Sequence, residues 1–290
     1  MNLFDKLQNI DRRILYLLIA AVITVPLLMR PGQHPSKEMV FKEVRNAYKT
    51  IDSVPKDKIV LISAYWGPGT IAENAPQMEV LMRHMFKKGI KFAVASWDQA
   101  GNELTYQIGE KLAKELGKKY GKDWVHLGYR VLYPPQVVIR GMALNFPKVM
   151  EYDRFQTPLS KIPAVAGVKD YKDIGAVVEI TPSGTVELWI AYFTGPYNVP
   201  LVFCPTAVMA AEAYPFLDSG QIKGMLNGVI GAVQYETLLG MVNEKTDAAA
   251  TSWALSAALV FIILLIIVGN LAYVMNKRAG SRRQGGSSND

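Results

Sequence analysis

Cysteine is nearly absent from this chain of 290 residues: Cys204 stands alone, which excludes an intramolecular disulfide framework and any multi-cysteine zinc site. Histidine is almost as scarce, with only His34, His84 and His126, so no metal site is expected. Neither GxGxxG nor GxxxxGK[ST] occurs, and no cofactor is expected from motif. The remaining absence is local. No charged residue lies between Ile14 and Met29, or between Ala248 and Met275.

What is present is half apolar, 20% charged and 10% aromatic, which excludes a disordered or collagen-like chain. The net charge of +7 raises the question of nucleic acid, and its distribution answers it. Residues 1–30 carry four Lys/Arg against two Asp (+2), residues 31–247 carry 24 basic against 22 acidic (+2), and residues 248–290 carry four against one (+3). A nucleic-acid binder concentrates charge on its folded domain, and here most of the excess lies in the tails. No nucleic-acid partner is expected.

The run ILYLLIAAVITVPLLM, bracketed by Arg12, Arg13 and Arg30, is short for a span. Flanking Arg side chains must complete the crossing by snorkelling. A cleaved signal peptide is its rival, but small residues suited to cleavage are missing after the apolar core. The second run is long enough to span with tilt, with Trp253 and Tyr273 near its ends as interfacial anchors. Lys6, Arg12 and Arg13 precede the first run, and Lys277, Arg278, Arg282 and Arg283 follow the second, which predicts cytoplasmic termini. The organisation expected is a cytoplasmic amphipathic segment (1–13, with Leu3, Phe4, Leu7 and Ile10 at helical spacing) and a transmembrane helix (14–30). An extracytoplasmic domain (31–247), a second transmembrane helix (248–275) and a basic disordered tail (276–290) follow. This is a two-pass protein of the cell inner membrane with its domain in the periplasm or an equivalent space.

Between the spans, apolar runs alternate with helix-period segments, the pattern of parallel βαβ units. Strands are expected at Ile59–Trp66, Phe92–Trp97, Trp124–Tyr129, Ala176–Ile180 and Pro200–Cys204. Helices are expected from Asn74 to Gly89, through Leu104, Ile108, Leu112 and Leu116, and over Val137–Asn145, Thr185–Phe193, Thr206–Tyr214 and Ser219–Leu239. Residues 147–173 read as a long crossover with one short helix. The fold class predicted is α/β, a three-layer Rossmann-like domain on a mostly parallel sheet.

Open parallel sheets bind ligands beyond the carboxyl ends of their strands, which nominates Gly67, Gly69, Thr70, Asp98, Thr181, Ser183 and Cys204 as candidate ligand-binding residues. Each has a plainer reading: a strand-to-helix turn for Gly67–Thr70, a capping residue for Asp98, a buried thiol for Cys204. Cys204 at a helix start, with His126 as base, would make a cysteine nucleophile, yet His126 lies inside a strand pattern. No catalytic residue is assigned. Gly220, Gly224 and Gly228, spaced by four and followed by Gly231, form a small-residue stripe in an apparent helix. Each glycine costs about 1 kcal/mol there, so close backbone approach must offset it, within the domain or at a subunit interface.

The segments IVLISAYWGPGT, DSGQIKGMLNGVIGAVQYE and IILLIIVGNLAY resemble a family of uncharacterised prokaryotic membrane proteins with a transmembrane helix at each end. The resemblance implies the two-anchor architecture and no activity. The function expected is a non-enzymatic structural or assembly subunit that self-associates or joins other membrane subunits in the lipid bilayer. The alternative is a small-molecule or hydrolytic site at the strand ends.

Overall fold

The computed structural model describes residues 11–32 and 34–285, so the amphipathic segment expected before Asp11 lies outside the described residues. The chain forms two compact units, one made of the terminal segments up to Gly32 and from Lys245, the other of Gln33–Glu244.

The first unit is two helices. In α1 (Arg12–Met29) the Asp11 side chain accepts from the Arg13 N–H at 2.9 Å and so satisfies one of the donors every helix start leaves open. Both apolar runs are helical, and almost none of their apolar surface is buried: Leu28 is 77% exposed. A helix apolar all round and left largely uncovered has the composition that suits a bilayer. At the opposite end of the chain, α11 (Asp247–Gly285) passes the boundary expected at Met275 and enters the segment read as disordered. Adding residues to an existing helix needs no new nucleation, and Lys277 and Ala279 are good helix formers.

The second unit is built on a six-stranded, all-parallel sheet, in the order β3-β2-β1-β4-β5-β6. Chain order gives α2 (Lys42–Asp52), β1 (Ile59–Ala64), α3 (Ile71–Lys88), β2 (Lys91–Ser96), α4 (Gln99–Glu115) and β3 (Trp124–Tyr129). After α5 (Pro135–Leu144) and α6 (Phe146–Met150) come β4 (Ile174–Thr181), α7 (Val186–Trp189), a π-helical turn (Ile190–Thr194) and α8 (Gly195–Tyr197). The chain continues through β5 (Leu201–Pro205), α9 (Ala207–Asp218), β6 (Gly224–Met225) and α10 (Gly228–Leu238).

The central strands are buried on both faces, which is why they read as continuous apolar runs. Leu61, Ala93, Val125, Val177 and Phe203 pack on one face against Ile139, Met142 and Phe146 of α5 and α6, with Trp189 and Phe193 beside them. On the other face Phe92 and Trp124 meet Phe86 of α3 ring to ring.

The helix expected over Ser219–Leu239 is a correction. It begins only at Gly228, and the glycine stripe is not one face. Gly220 turns the chain after α9 at φ 76°, Gly224 opens β6, Gly228 starts α10 at φ 51°, and Gly231 alone lies inside that helix. The left-handed backbone at Gly220 and Gly228 breaks any continuous helix and favours glycine. Each of Gly224, Gly228 and Gly231 has protein backbone or a side chain where a Cβ would stand: Ala47 of α2, Glu73 of α3 and Leu226 respectively. A period of four here joins a turn, a strand and a helix start.

Because α10 follows β6, it runs back from the carboxyl ends of the strands. Gln77 of α3 bonds the Gly228 and Pro205 carbonyls at its start, and Tyr235 reaches His84 near the far end of α3. There His34 Nε2 lies 2.8 Å from Glu236 Oε2, and the Thr237 hydroxyl donates to the Pro35 carbonyl at 3.1 Å. Both ends of the domain therefore meet on the amino side of the sheet.

Candidate site at the carboxyl edge of the sheet

Chain direction reverses between β1, whose next strand lies to one side, and β4, which starts the other half. The carboxyl ends of these two strands flank the crevice where such sheets hold ligands. Six of the seven ligand candidates, all but Cys204, sit here or beside it. Gly67 follows β1 against the Asp98 carboxylate, which a Cβ would approach to 2.8 Å. Asp98 accepts from the Gly101 N–H at 2.6 Å and caps α4, its plainer reading, although Asp98 and Gly67 do adjoin. Gly101, in the first turn of α4, lies against the Trp66 carbonyl. Gly69 is open, and the Thr70 hydroxyl is buried with no partner among the described residues.

On the β4 side, Thr181 and Ser183 join a chain of hydroxyls. Thr181 Oγ1 and Ser183 Oγ are 2.8 Å apart, Ser183 Oγ and Thr185 Oγ1 are 3.4 Å apart, and Thr185 donates to Glu179 Oε1 at 2.6 Å. Sequence reasoning missed Glu179, where this chain ends. Its carboxyl is fully buried in β4, in register with Ser63 of β1, and its Oε2 has no hydrogen-bond partner among the described residues. Burial pushes its pKa up to about 7, with the Ser63 and Thr185 hydroxyls pulling the other way. Ser63 in turn accepts from Trp97 Nε1 at 2.8 Å. The one signal available beforehand was an acid within the apolar run AVVEI, since unpaired acids are seldom buried.

The arrangement can hold a proton near neutral pH and present acceptors and hydroxyl donors at the switch point. It does not make a cysteine nucleophile. Cys204 is buried in β5, and burial drives its thiol pKa upward. His126 is in β3, four strand spacings or about 19 Å away across the sheet. His126 Nδ1 accepts from the Gly128 N–H at 3.0 Å, so Nε2 carries the proton toward Thr105 Oγ1 at 2.9 Å. Burial, reinforced by Arg154 and Arg130, lowers its pKa to about 3 and keeps it neutral.

Around these residues the carboxyl edge carries little charge. The segments leaving the strands, 65–70, 97–98, 130–134, 182–185, 206 and 226–227, contain only Asp98 and Arg130 as charged residues. Arg130 donates to the Met150 and Tyr152 carbonyls. Large apolar side chains stand out instead: Tyr65, Val131 and Tyr133 in these segments, Tyr129 at the end of β3, and Val137 and Val208 at the next helix starts are all exposed.

Comparison with known proteins identifies no relative: no family model matches the chain, and neither a curated protein nor a solved structure matches it.

Proposed function

We propose that this chain is a non-enzymatic, membrane-anchored structural or assembly subunit that self-associates and holds a Rossmann-like domain outside the cytoplasm between two transmembrane helices. The observation that carries the reading is the carboxyl edge, an exposed apolar and aromatic surface nearly bare of charge, on a domain whose two chain ends both leave from the opposite side. The 3-2-1-4-5-6 strand order supports the Rossmann-like description. The apolar, unburied faces of α1 and α11 support the anchors. The short basic flanks support a domain on the outer face of a prokaryotic inner membrane.

The test is particle mass in mild detergent for the wild type and for a Val131→Ser, Tyr133→Ser variant. The expected result is an oligomer that the double substitution dissociates. A wild-type monomer at micromolar concentrations would sink the reading. For orientation, Gly184→Cys places a thiol at an exposed loop position, against the buried Cys204 as silent background. A membrane-impermeant maleimide should label it in intact cells.

A second reading is favoured by one observation, the unpartnered Oε2 of Glu179 beside the switch point: a small-molecule site whose ligand hydrogen-bonds this carboxyl group. Thermal-shift screening of the full-length protein against polyols, amines and nucleosides addresses it. A flat response would remove it.

A further inference from the structure

The amino edge of the sheet has the opposite character. The segments entering the strands, 53–58, 89–90, 116–123, 169–173, 198–200 and 219–223, contain eight Lys and four Asp. Three of those aspartates serve as backbone caps. Asp123 accepts from the Lys119 N–H, Asp173 from the Lys169 N–H and Asp170 from the Lys172 N–H, each at 2.8 Å, which directs these carboxylates to main chain.

On this edge lies an open hollow of about 330 Å³, lined by Asn46, Lys49 and Thr50 of α2, by Ser53 at its C-cap, by Pro200 before β5 and by Lys223 before β6. Asn46, Lys49, Thr50 and the cap residue Ser53 recur at i, i+3, i+4 and i+7 and so share one side of the helix. No acid lines the hollow. Among the described residues neither Lys49 nor Lys223 has a carboxylate within ion-pair distance, and the nearby Asp52 is held by Lys88 and His84 at 2.7 and 3.1 Å. The Asn46 carboxamide makes no hydrogen bond among the described residues, while the Thr50 and Ser53 hydroxyls bond only to local carbonyls. Two lysine side chains and an unbonded carboxamide line the hollow without a counter-ion, which presents the chemistry that recognises a phosphate group.

We propose that this hollow binds the phosphate headgroup of an anionic lipid. The partner follows from position: His34–Pro35 and Glu236–Thr237, next to the two places where the chain passes toward the apolar helices, lie on the same side of the sheet as the hollow. Lys56 and Lys58, in the segment that enters β1, add positive charge to the same edge. The choice of lipid over free phosphate rests on the reading of α1 and α11 as membrane spans; the phosphate chemistry does not.

The experiment uses the full-length protein in a neutral detergent, titrated with dihexanoyl phosphatidylglycerol, dihexanoyl phosphatidylcholine, inorganic phosphate or a single-stranded 20-mer oligonucleotide. Binding is read by calorimetry at two salt concentrations. Phosphatidylglycerol should bind saturably and more weakly at higher salt, with phosphatidylcholine and inorganic phosphate at least tenfold weaker. The Lys49→Gln, Lys223→Gln variant should lose at least tenfold in affinity while its melting temperature without lipid stays within a degree of wild type. A Lys111→Gln variant on α4 should bind as wild type does. Equal binding of the two lipids, or undiminished binding by the double variant, would overturn the site. Phosphate binding as tight as phosphatidylglycerol would reassign it to a soluble anion, and tighter oligonucleotide binding would reassign the edge to nucleic acid. Because binding is read with soluble lipids, its failure leaves the anchors standing. A chain that stays monodisperse without detergent would remove the anchors and leave the phosphate measurement intact.

Discussion

The two edges of one sheet differ more than its two faces do. Segments entering the strands carry most of the edge charge, all of it Lys and Asp, whereas segments leaving them carry one Asp, one Arg and a row of exposed aromatic and β-branched side chains. Their buried polar groups differ as well. Toward the amino side His84 is saturated, with Nδ1 2.7 Å from the Tyr235 hydroxyl, Nε2 3.1 Å from Asp52 and Tyr48 stacked on its ring at 4.4 Å. At the carboxyl side Glu179 keeps an open oxygen. A satisfied network specifies a fold, and an unsatisfied one is more often associated with function.

The harshest way to break this contrast is to remove the close approach that seats each side. Gly224→Leu drives a side chain into the α2 backbone at Ala47, and Gly101→Val drives one into the Trp66 carbonyl. Each should cost about 3 kcal/mol or more in urea unfolding of the full-length protein. If either variant unfolded at the wild-type midpoint, the packing described for that glycine would be wrong.

Glu179→Gln comes next and separates the sides by pH. In the folded protein this carboxyl holds its proton to about pH 7, and unfolded it releases the proton near its ordinary value of 4.5. Between these values the native state binds more protons, so wild-type stability falls as pH rises through that window. The full contribution is present below about 4.5 and gone above about 7, a change of roughly 3 kcal/mol from this group. Relative to wild type, the glutamine variant should become progressively more stable from pH 5 to pH 8. A constant difference would mean that Glu179 is ionised throughout.

Tyr235→Phe tests the saturated side. It leaves the buried His84 Nδ1 without its hydroxyl partner and should cost about 1–2 kcal/mol. Burial lowers the His84 pKa against the pull of Asp52, so imidazole protonation does not supply the stability lost. Urea unfolding at pH 7 and pH 8 should show the same loss. The smallest effect on folding is expected from Tyr133→Ser, which removes an exposed ring and should move the unfolding midpoint by less than about 0.5 kcal/mol.

Five strands were legible in the sequence because burial on both faces leaves continuous apolar runs, with differences of one or two residues at their ends. The sixth, Gly224–Met225, is two residues long and offers no run to read. The glycine spacing then misled, since identical residues four apart resemble a helix face until backbone dihedrals separate a turn at Gly220 from a strand at Gly224. The candidate site was legible by position and hidden in its chemistry. Gly67, Asp98, Thr181 and Ser183 follow from the rule that places ligands at strand ends. Glu179 lies inside a strand, where the same rule does not look, and its importance rests on a register with Ser63 that only the paired sheet reveals. The lysines of the amino edge escaped a count over residues 31–247 because net charge averages over a surface whose two sides differ.

The meeting of His34 with Glu236 and of Pro35 with Thr237 has a mechanical consequence. Tension applied between the two segments that enter and leave the domain falls first on these two contacts, loading them side by side at the domain's base. The sheet lies outside the direct line of force until they part. A module joined in this way is held at one point although its chain crosses that point twice.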